Sequence, residues 1–212
     1  MIITGQTLNA QAGLLNNAPA TLPGFIQGRQ QDLLVSEIMP KYYQAAYAGV
    51  LYWAKAIVTA PVIFSTAAST GGPLLWNAST NMNLVLLKLT CGITTVSTAA
   101  GSLGIATGVS TVPGATTAVD SLFNCKNPGV LLTQTPNAQV SRVATPSAAA
   151  TNFIPAFSIG TGALTVEDGL QMTWEIDGSI IVPPGSFASP AGSATLSTLV
   201  TNIGLLWMEV PA

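Results

Sequence analysis

Four carboxylates lie close together in the C-terminal part of the chain. Glu167 and Asp168 are adjacent, and Glu175 and Asp177 follow within ten residues. Such a group could bind a hard cation such as Ca²⁺, which prefers several oxygen ligands, or supply the two carboxylates of a glycoside hydrolase. The spacing matches no calcium-loop pattern, and any two acids of a β-protein would make a comparable pair. The four residues are therefore interpreted as solvated turns flanking a strand.

Nucleophilic catalysis would lack its usual base in this chain. The sequence contains no histidine, which excludes Ser-His-Asp and Cys-His machinery and histidine-ligated metal sites. The six Lys and Arg residues form no Ser-x-x-Lys motif, and neither a Gly-x-Ser-x-Gly elbow nor a phosphate-binding glycine loop occurs. The sequence thus predicts a protein that is not an enzyme, with no catalytic, cofactor-binding or metal-binding residues and no cofactor.

The two cysteines and four tryptophans have both a structural and a functional interpretation. Cys91 lies in an apolar run, where a reduced cysteine acts as a small hydrophobe, so we expect two buried free thiols rather than a Cys91–Cys125 disulfide. The tryptophans could form a sugar-binding platform. Each stands in or beside a strand-like run, which favours core packing; they are Trp53, Trp76, Trp174 and Trp207.

The elements that would position these residues are short strands. From about residue 41, runs rich in Val, Ile, Thr and Leu alternate with Gly, Pro, Asn and Ser clusters. Strands are predicted at 49–57, 62–67, 83–95, 103–108, 129–132, 153–159, 172–176, 179–182 and 201–208. Asp177-Gly178 is predicted to be a two-residue hairpin turn, 70–73 and 183–185 turns, and 136–151 an exposed loop. Strands without intervening helices predict an all-β antiparallel sandwich or jelly roll spanning residues 41–212.

The first 40 residues differ from the rest of the chain. They are rich in Asn, Gln, Gly and Pro and carry short apolar clusters without a period that would build a core. Residues 1–40 are therefore predicted to form an extended N-terminal arm that packs on another surface. Residues 30–39 could form one or two helical turns, which Pro40 would end.

Charge is scarce throughout the chain. Charged residues make up 7% of the 212 residues, the hydrophobic share is 49%, and the net charge is −2. Six scattered basic residues offer no footprint for direct nucleic-acid binding, and the apolar content excludes a disordered chain. The most apolar stretch, 45–64, has Lys55 at its centre, which disfavours a membrane span. A surface with so few charges is poorly soluble when exposed, which suggests burial against other subunits.

Three stretches of the chain carry a resemblance to a known family. They are residues 33–38 (LLVSEI) with 41–49 (KYYQAAYAG), residues 83–88 (NLVLLK), and residues 181–187 (IVPPGSF) with 207–211 (WMEVP). In type and order they are similar to stretches of the capsid decoration (cement) proteins of tailed bacteriophages, which combine a β-sandwich with an N-terminal arm. Residues 1–30 and the Ser- and Thr-rich middle of the chain are outside the resemblance.

The resemblance implies a structural protein of the virion. Such proteins sit on the capsid surface as homotrimers, bridge neighbouring major capsid protein subunits and resist the pressure of packaged DNA; they are made in the host cytoplasm. Aromatic and aliphatic residues of the arm and of the segment after it are then expected to contact the capsid or a neighbouring subunit. These residues are Leu14, Leu15, Phe25, Ile26, Leu33, Leu34, Tyr42 and Tyr43.

Two other virion roles remain open at this point. A trimeric tail or head-fibre β-protein that binds a host-surface receptor would share the same Thr-, Ser- and Gly-rich composition. A major capsid jelly roll would assemble into shells without a partner. The receptor-binding role predicts exposed aromatic residues and a carbohydrate partner, whereas the decoration role predicts an ordered arm and affinity for empty heads.

Overall fold

The computed structural model describes residues 41–61, 63–65, 70–126, 135–161 and 170–212. These residues form one short helix, α1 (Tyr43–Ala48), and a series of strands. The strands are β1 (Leu51–Thr59), β2 (Thr70–Asn77), β3 (Met82–Thr95), β4 (Gly101–Val109), β5 (Gly114–Thr117), β6 (Ser121–Asn124), β7 (Ala138–Thr145), β8 (Asn152–Ile159), β9 (Gln171–Val182), β10 (Ser186–Gly192) and β11 (Val200–Pro211). No described helix is long and apolar enough to cross a membrane.

The strands form two antiparallel sheets with the order of a jelly roll. One sheet has the order β6-β1-β11-β3-β9 and the other β5-β7-β2-β10-β4-β8. Without β5, β6 and β7, eight strands remain, and they pair first with last, second with seventh, third with sixth and fourth with fifth. This nested pairing is the double Greek key of a jelly roll. The predicted all-β class and antiparallel sandwich are confirmed.

The other three strands form an insertion between β4 and β8. Strand β6 extends the first sheet beside β1, and β7 with β5 extends the second beside β2. The Asp120 carboxylate ties the insertion to the jelly roll, because it accepts a hydrogen bond from the Ile57 backbone N–H of β1 (2.6 Å). It also accepts one from Arg142 Nη1 of β7 (3.0 Å), which joins two parts of the insertion. The insertion therefore widens both sheets along one edge of the sandwich.

The core lies between the two sheets and is built by alternation along each strand. In β1, every second residue from Tyr52 to Val58 is buried, and the residues between them face outward. The Tyr52 ring stacks on the fully buried Trp207 ring with 5.6 Å between centroids. The largest buried side chains around them are Phe187, Leu74, Leu75, Leu84, Leu86, Leu89, Leu103, Ile105, Leu196, Leu199 and Ile203.

The C-terminal strand lies at the centre of the first sheet. Strand β11 lies between β1 and β3 and pairs with both along nearly its whole length. On its outer face, Leu206 joins Leu51 and Leu87 in a second apolar cluster against which Ala45 and Ala46 of α1 pack. Helix α1 therefore covers part of the outer face of the first sheet.

Two buried polar residues connect elements that are distant in sequence. Glu209 is buried in β11, and its carboxylate accepts hydrogen bonds from Asn137 N (3.1 Å), Asn137 Nδ2 (2.7 Å) and Ala138 N (3.1 Å) at the start of β7. The Asn77 side chain donates to the carbonyls of Met82 (2.8 Å) and Val182 (2.9 Å). A buried polar side chain is tolerated when its hydrogen bonds are made, and these two residues join the sheets and the strand ends.

Several predicted elements are corrected by the structure. Residues 70–73 were expected to turn, but they begin β2, where a register irregularity between Gly71 and Leu74 accommodates the Gly-Pro pair. The predicted exposed loop 136–151 contains β7. In the predicted strand 62–67, the described residues form an isolated bridge at Ile63 and a turn. The predicted strand 129–132 lies outside the described residues.

The Asp177-Gly178 pair forms a bulge instead of a hairpin turn. Both residues have positive φ, 51° and 81°, as this pair favours. The chain nevertheless continues along β3 in the same direction, because Glu175 pairs with Lys88 and Ile180 with Leu86. The predicted strands 172–176 and 179–182 are therefore one strand, β9, in which residues 176–179 bulge opposite Leu87.

Candidate functional site

The predicted interface residues fall into two groups. Tyr42 and Tyr43 are described by the structure, at the start of α1. The other six, Leu14, Leu15, Phe25, Ile26, Leu33 and Leu34, lie outside the described residues, as does the predicted arm to which they belong. Of the predicted interface, the structure therefore describes only the part that follows residue 40.

Tyr42 anchors this segment to the sandwich. It is the N-cap residue of α1 and has the left-handed backbone conformation, with φ 69°. Its ring packs on the outer apolar cluster, and its hydroxyl donates a hydrogen bond of 2.5 Å to Asp177 Oδ1 in the β9 bulge. The helix ends at Gly49, also left-handed, whose N–H is bonded to the Ala46 carbonyl at 3.0 Å. Both ends of α1 are therefore held in place.

The next tyrosine points away from the core. Tyr43 and Tyr47 are one helical turn apart and stack with ring centroids 6.1 Å apart. Tyr43 is 46% exposed and Tyr47 69% exposed. Lys126 Nζ lies 5.4 Å from the centroid of the Tyr47 ring, within the range of a cation–π interaction. We name Tyr43, Tyr47 and Lys126 the tyrosine face; it presents two aromatic rings and one cation to solvent.

A groove lies on the outer face of the first sheet and shares no lining residue with the tyrosine face. Its volume is about 390 Å³, within the usual range of roughly 300–1,000 Å³ for small-molecule sites. Its floor contains Gly92 of β3 and Gly204 of β11, which lie in neighbouring strands. The lining residues are Trp53, Lys55, Thr90, Gly92, Ile93, Thr94, Leu170, Gln171, Asn202 and Gly204.

The two glycines shape the groove in different ways. A Cβ at Gly204 would overlap the Trp53 indole and lie 2.7 Å from Thr90 Oγ1, so the indole covers this glycine. Among the residues that the structure describes, a Cβ at Gly92 would meet only the Asn202 Cβ, at 3.8 Å. The space above Gly92 is open, with the Trp53 ring on one side of the groove.

The groove has a positive charge and an unpaired acceptor. Lys55 is the one charged residue among the described lining residues, and it forms no ion pair with another residue that the structure describes. Asn202 is half-buried, and its Oδ1 is buried without a hydrogen-bond partner in the described part of the chain. Gln171, Thr90 and Thr94 add further polar side chains. The lining therefore offers one aromatic ring, one cation and several uncharged hydrogen-bonding groups.

The carboxylates of the predicted acidic group are engaged separately where they are described. Glu175 pairs with Lys88 Nζ at 2.7 Å, and Asp177 accepts from Tyr42. Glu167 and Asp168 lie outside the described residues. Within the described ranges, no group of three or more His, Cys, Asp or Glu side chains is arranged to hold a metal ion.

Both cysteines are free thiols, as predicted, although only Cys91 is fully buried and Cys125 is half-buried. Burial raises the pKa of the Cys91 thiol from 9.0 to about 12 and also raises the pKa of Cys125. Both therefore remain protonated at neutral pH, the unreactive form of a cysteine.

The tryptophans divide between core and surface. Trp207 is buried between the sheets, and Trp76 and Trp174 pack against apolar clusters. Trp53 also packs on the outer cluster, but it lines the groove as well. Sequence analysis missed Lys55, Asn202 and Gln171 as companions of Trp53, because only the pairing of β1, β11, β3 and β9 brings them together.

Comparison with protein-family models, curated proteins and solved structures finds no match to this chain. A functional assignment therefore rests on the fold, the composition and the two surfaces described above.

Proposed function

We propose that the chain is a structural subunit of a tailed-phage virion, a decoration protein that binds the outside of the head and bridges major capsid subunits. In this proposal it acts as a homotrimer on the capsid surface and neither catalyses a reaction nor binds nucleic acid directly. The observation that carries the proposal is a jelly-roll sandwich built from a chain of which only 7% of the residues are charged, and the tyrosine face is the surface on which we place the capsid contact.

The fold and composition support an assembly role. Jelly rolls serve as viral capsid and lectin domains, among others; this support is by fold analogy. The chain combines that fold with 7% charged residues and 49% hydrophobic residues. A surface of this kind is best accommodated where other subunits cover much of it.

The edge strands β8 and β9 are poorly suited to pair with a strand of another protein chain. Edge strand β8 carries Pro155 and a register irregularity beside it, and edge strand β9 carries the Asp177-Gly178 bulge. Proline and bulges on edge strands oppose pairing with another chain. A partner would therefore dock on side chains projecting from the sandwich, and the tyrosine face offers such side chains.

The tyrosine face has the composition of a protein–protein contact. Tyrosine is enriched in interfaces because its ring buries a large apolar area while its hydroxyl still forms a hydrogen bond. Tyr43 and Tyr47 are already stacked, so binding would cost little side-chain entropy. In the sequence, Tyr43 follows Pro40, the last residue of the proposed arm, by three residues.

Co-sedimentation with empty expanded heads of the phage that carries the gene tests the proposal. The full chain is expected to pellet with heads at a fixed number of copies per major capsid subunit. The Tyr43→Ser, Tyr47→Ser double variant is expected to bind at least about tenfold more weakly, as loss of two aromatic anchors implies. Deletion of residues 1–40 should also abolish binding while the sandwich remains folded.

A matched surface variant makes this test specific. Val112 is 67% exposed in the loop between β4 and β5, so Val112→Ser removes an exposed apolar side chain away from the tyrosine face. It should bind heads like the unmodified chain. Unaltered binding by the double tyrosine variant, or no binding by the unmodified chain, would contradict the proposal.

A further inference from the structure

We infer that the groove between Trp53 and Gln171 is a carbohydrate-binding site for an acidic pyranose, a sugar residue that carries a carboxylate. This inference goes beyond the proposed structural role and uses none of the residues of the tyrosine face. The groove lies on β1, β11, β3 and β9, whereas the tyrosine face belongs to α1 and Lys126.

The shape of the groove is created by residues without side chains in the two central strands. Gly92 and Gly204 lower the floor, and the neighbouring strands raise its sides with Trp53 and Gln171. Glycine inside a strand weakens the strand and often marks the close approach of a ligand or another chain segment. At Gly204 the approaching group is the Trp53 indole, whereas the space over Gly92 is open.

The lining groups match the surface of a pyranose. A sugar ring presents an apolar C–H face, which an indole can contact, and a rim of hydroxyls, which need both donors and acceptors. Asn202 and Gln171 offer amide groups, and Thr90 and Thr94 offer hydroxyls. A few polar groups around an aromatic wall are typical of small-ligand sites.

Asn202 supplies the most specific indication. Its Oδ1 is buried but accepts no hydrogen bond from the described residues, although buried polar atoms are normally paired. Because this oxygen has no accessible surface in the structure, the Asn202 side chain would have to rotate toward the groove, where a ligand hydroxyl would provide the missing donor. A purely apolar ligand would leave this oxygen unpaired.

The charge of the groove selects an acidic sugar over a neutral one. Lys55 is exposed at the groove, and none of the described lining residues is acidic. The ion pairs among the described residues, Lys88–Glu175 and Arg142–Asp120, do not involve Lys55. A carboxylate on the ligand would give Lys55 a partner, in a charge-assisted hydrogen bond of the stronger kind.

Calorimetric titration of the full chain with three oligosaccharides tests the inference. The probes are tetragalacturonate, tri-sialic acid and the neutral galactose tetramer. Binding of at least one acidic probe is expected, with affinity about tenfold above that of the neutral tetramer, falling as salt is raised and accompanied by a change in tryptophan fluorescence. Equal affinity for the neutral tetramer, or no binding of either acidic probe, would overturn the inference.

Substitutions of groove residues test whether the oligosaccharide binds in the groove. Gly92→Val adds a strand-favouring side chain into open space and should abolish binding at an unchanged Tm. Lys55→Gln should reduce acidic-probe affinity to the neutral level, and Lys126→Gln, a second exposed lysine, should leave it unchanged. If Gly92→Val does not fold, Asn202→Asp serves in its place, because a carboxylate there would repel the ligand. If Lys55→Gln and the variant at Gly92 or Asn202 bind the acidic probe as tightly as the unmodified chain, the groove is not the site. This outcome is independent of whether the chain binds heads through the tyrosine face.

Discussion

Tyr42 and Asp177, 135 residues apart in sequence, are joined by a hydrogen bond from the Tyr42 hydroxyl to Asp177 Oδ1. Both residues have the left-handed backbone conformation, with φ 69° and 51°, which costs free energy for residues other than glycine. The bond connects the start of α1 to the bulge of β9. It thereby fastens the N-terminal end of α1 to the sandwich.

Tyr42 is predicted to contribute to the stability of the fold, whereas Tyr43 is predicted to contribute little to it. Tyr42→Phe keeps the ring in the outer cluster but removes the hydroxyl, so we expect the free energy of unfolding to fall by about 1 kcal/mol. Tyr43→Ser changes an exposed side chain and should alter it by less than about 0.5 kcal/mol. Urea denaturation measures both values.

For binding to heads, the substitution at Tyr43 should have the larger effect and the substitution at Tyr42 the smaller one. Tyr43→Ser is expected to weaken co-sedimentation with heads, and Tyr42→Phe to leave it nearly intact. A Tyr43 variant that is destabilised yet binds normally would mean that Tyr43, too, is only structural.

Gly204 is predicted to tolerate no side chain. Gly204→Ala would force the Trp53 indole and Thr90 Oγ1 apart, and overpacking of this kind typically costs about 1–3 kcal/mol. Gly92→Ala is the control in the neighbouring strand, where a Cβ has room. Thermal denaturation should show a lower Tm for the first variant alone; equal Tm values would show that the indole moves aside freely.

Glu209 is predicted to hold the insertion to the jelly roll. Glu209→Gln replaces one carboxylate oxygen with an NH₂ group, which faces backbone or side-chain N–H donors of Asn137 and Ala138. Loss of charge-assisted bonds in a buried position should cost about 2–3 kcal/mol. Amide hydrogen exchange in β7 should accelerate.

Glu175→Gln is the matched control for Glu209. It alters an exposed ion pair with Lys88, which typically contributes no more than about 1 kcal/mol. Similar losses of stability in the two variants would contradict the role assigned to Glu209.

Stability is predicted to fall at alkaline pH because of the Cys91 thiol. Its pKa is about 12 in the folded protein and 9.0 ordinarily, so between these values the unfolded chain releases a proton that the folded chain retains. The contribution is therefore fully present below pH 9 and is lost as the pH rises toward 12. At about pH 10.5 the loss should approach roughly 2 kcal/mol.

Urea denaturation of the unmodified chain and of Cys91→Ala over this pH range isolates the effect. Tyr52, whose pKa is raised by burial and then by Glu209, contributes to both proteins alike. The two stabilities should converge as the pH rises. Parallel curves would show that Cys91 does not retain its proton.

The strands with clear hydrophobic alternation or long apolar runs could be predicted from the sequence. The expectations for 83–95, 103–108, 153–159 and 201–208 agree with β3, β4, β8 and β11. The expected positive φ at Asp177-Gly178 is also present. These features depend on local composition and on backbone preferences of adjacent residues.

The misses have a common cause in tertiary packing. Residues 70–77 include Gly-Gly-Pro, which indicates a turn locally, but pairing with β7 and β10 makes them a strand. Likewise, the short helix Tyr43–Ala48 lies in a part of the chain for which strands are predicted. Packing of the helix on the outer apolar cluster stabilises it. The groove could not be predicted because it depends on the register of Gly92 against Asn202.

Light scattering of the purified chain, alone and after mixing with empty expanded heads, measures both its oligomeric state and its binding to heads. We expect a trimer of about 65 kDa, three times the 21.6 kDa of one chain, which then binds to heads until they are saturated. A trimer indifferent to heads would favour a fibre protein that binds a host receptor. A stable monomer that ignores heads would contradict the claim that this low-charge surface is made to be covered by other subunits.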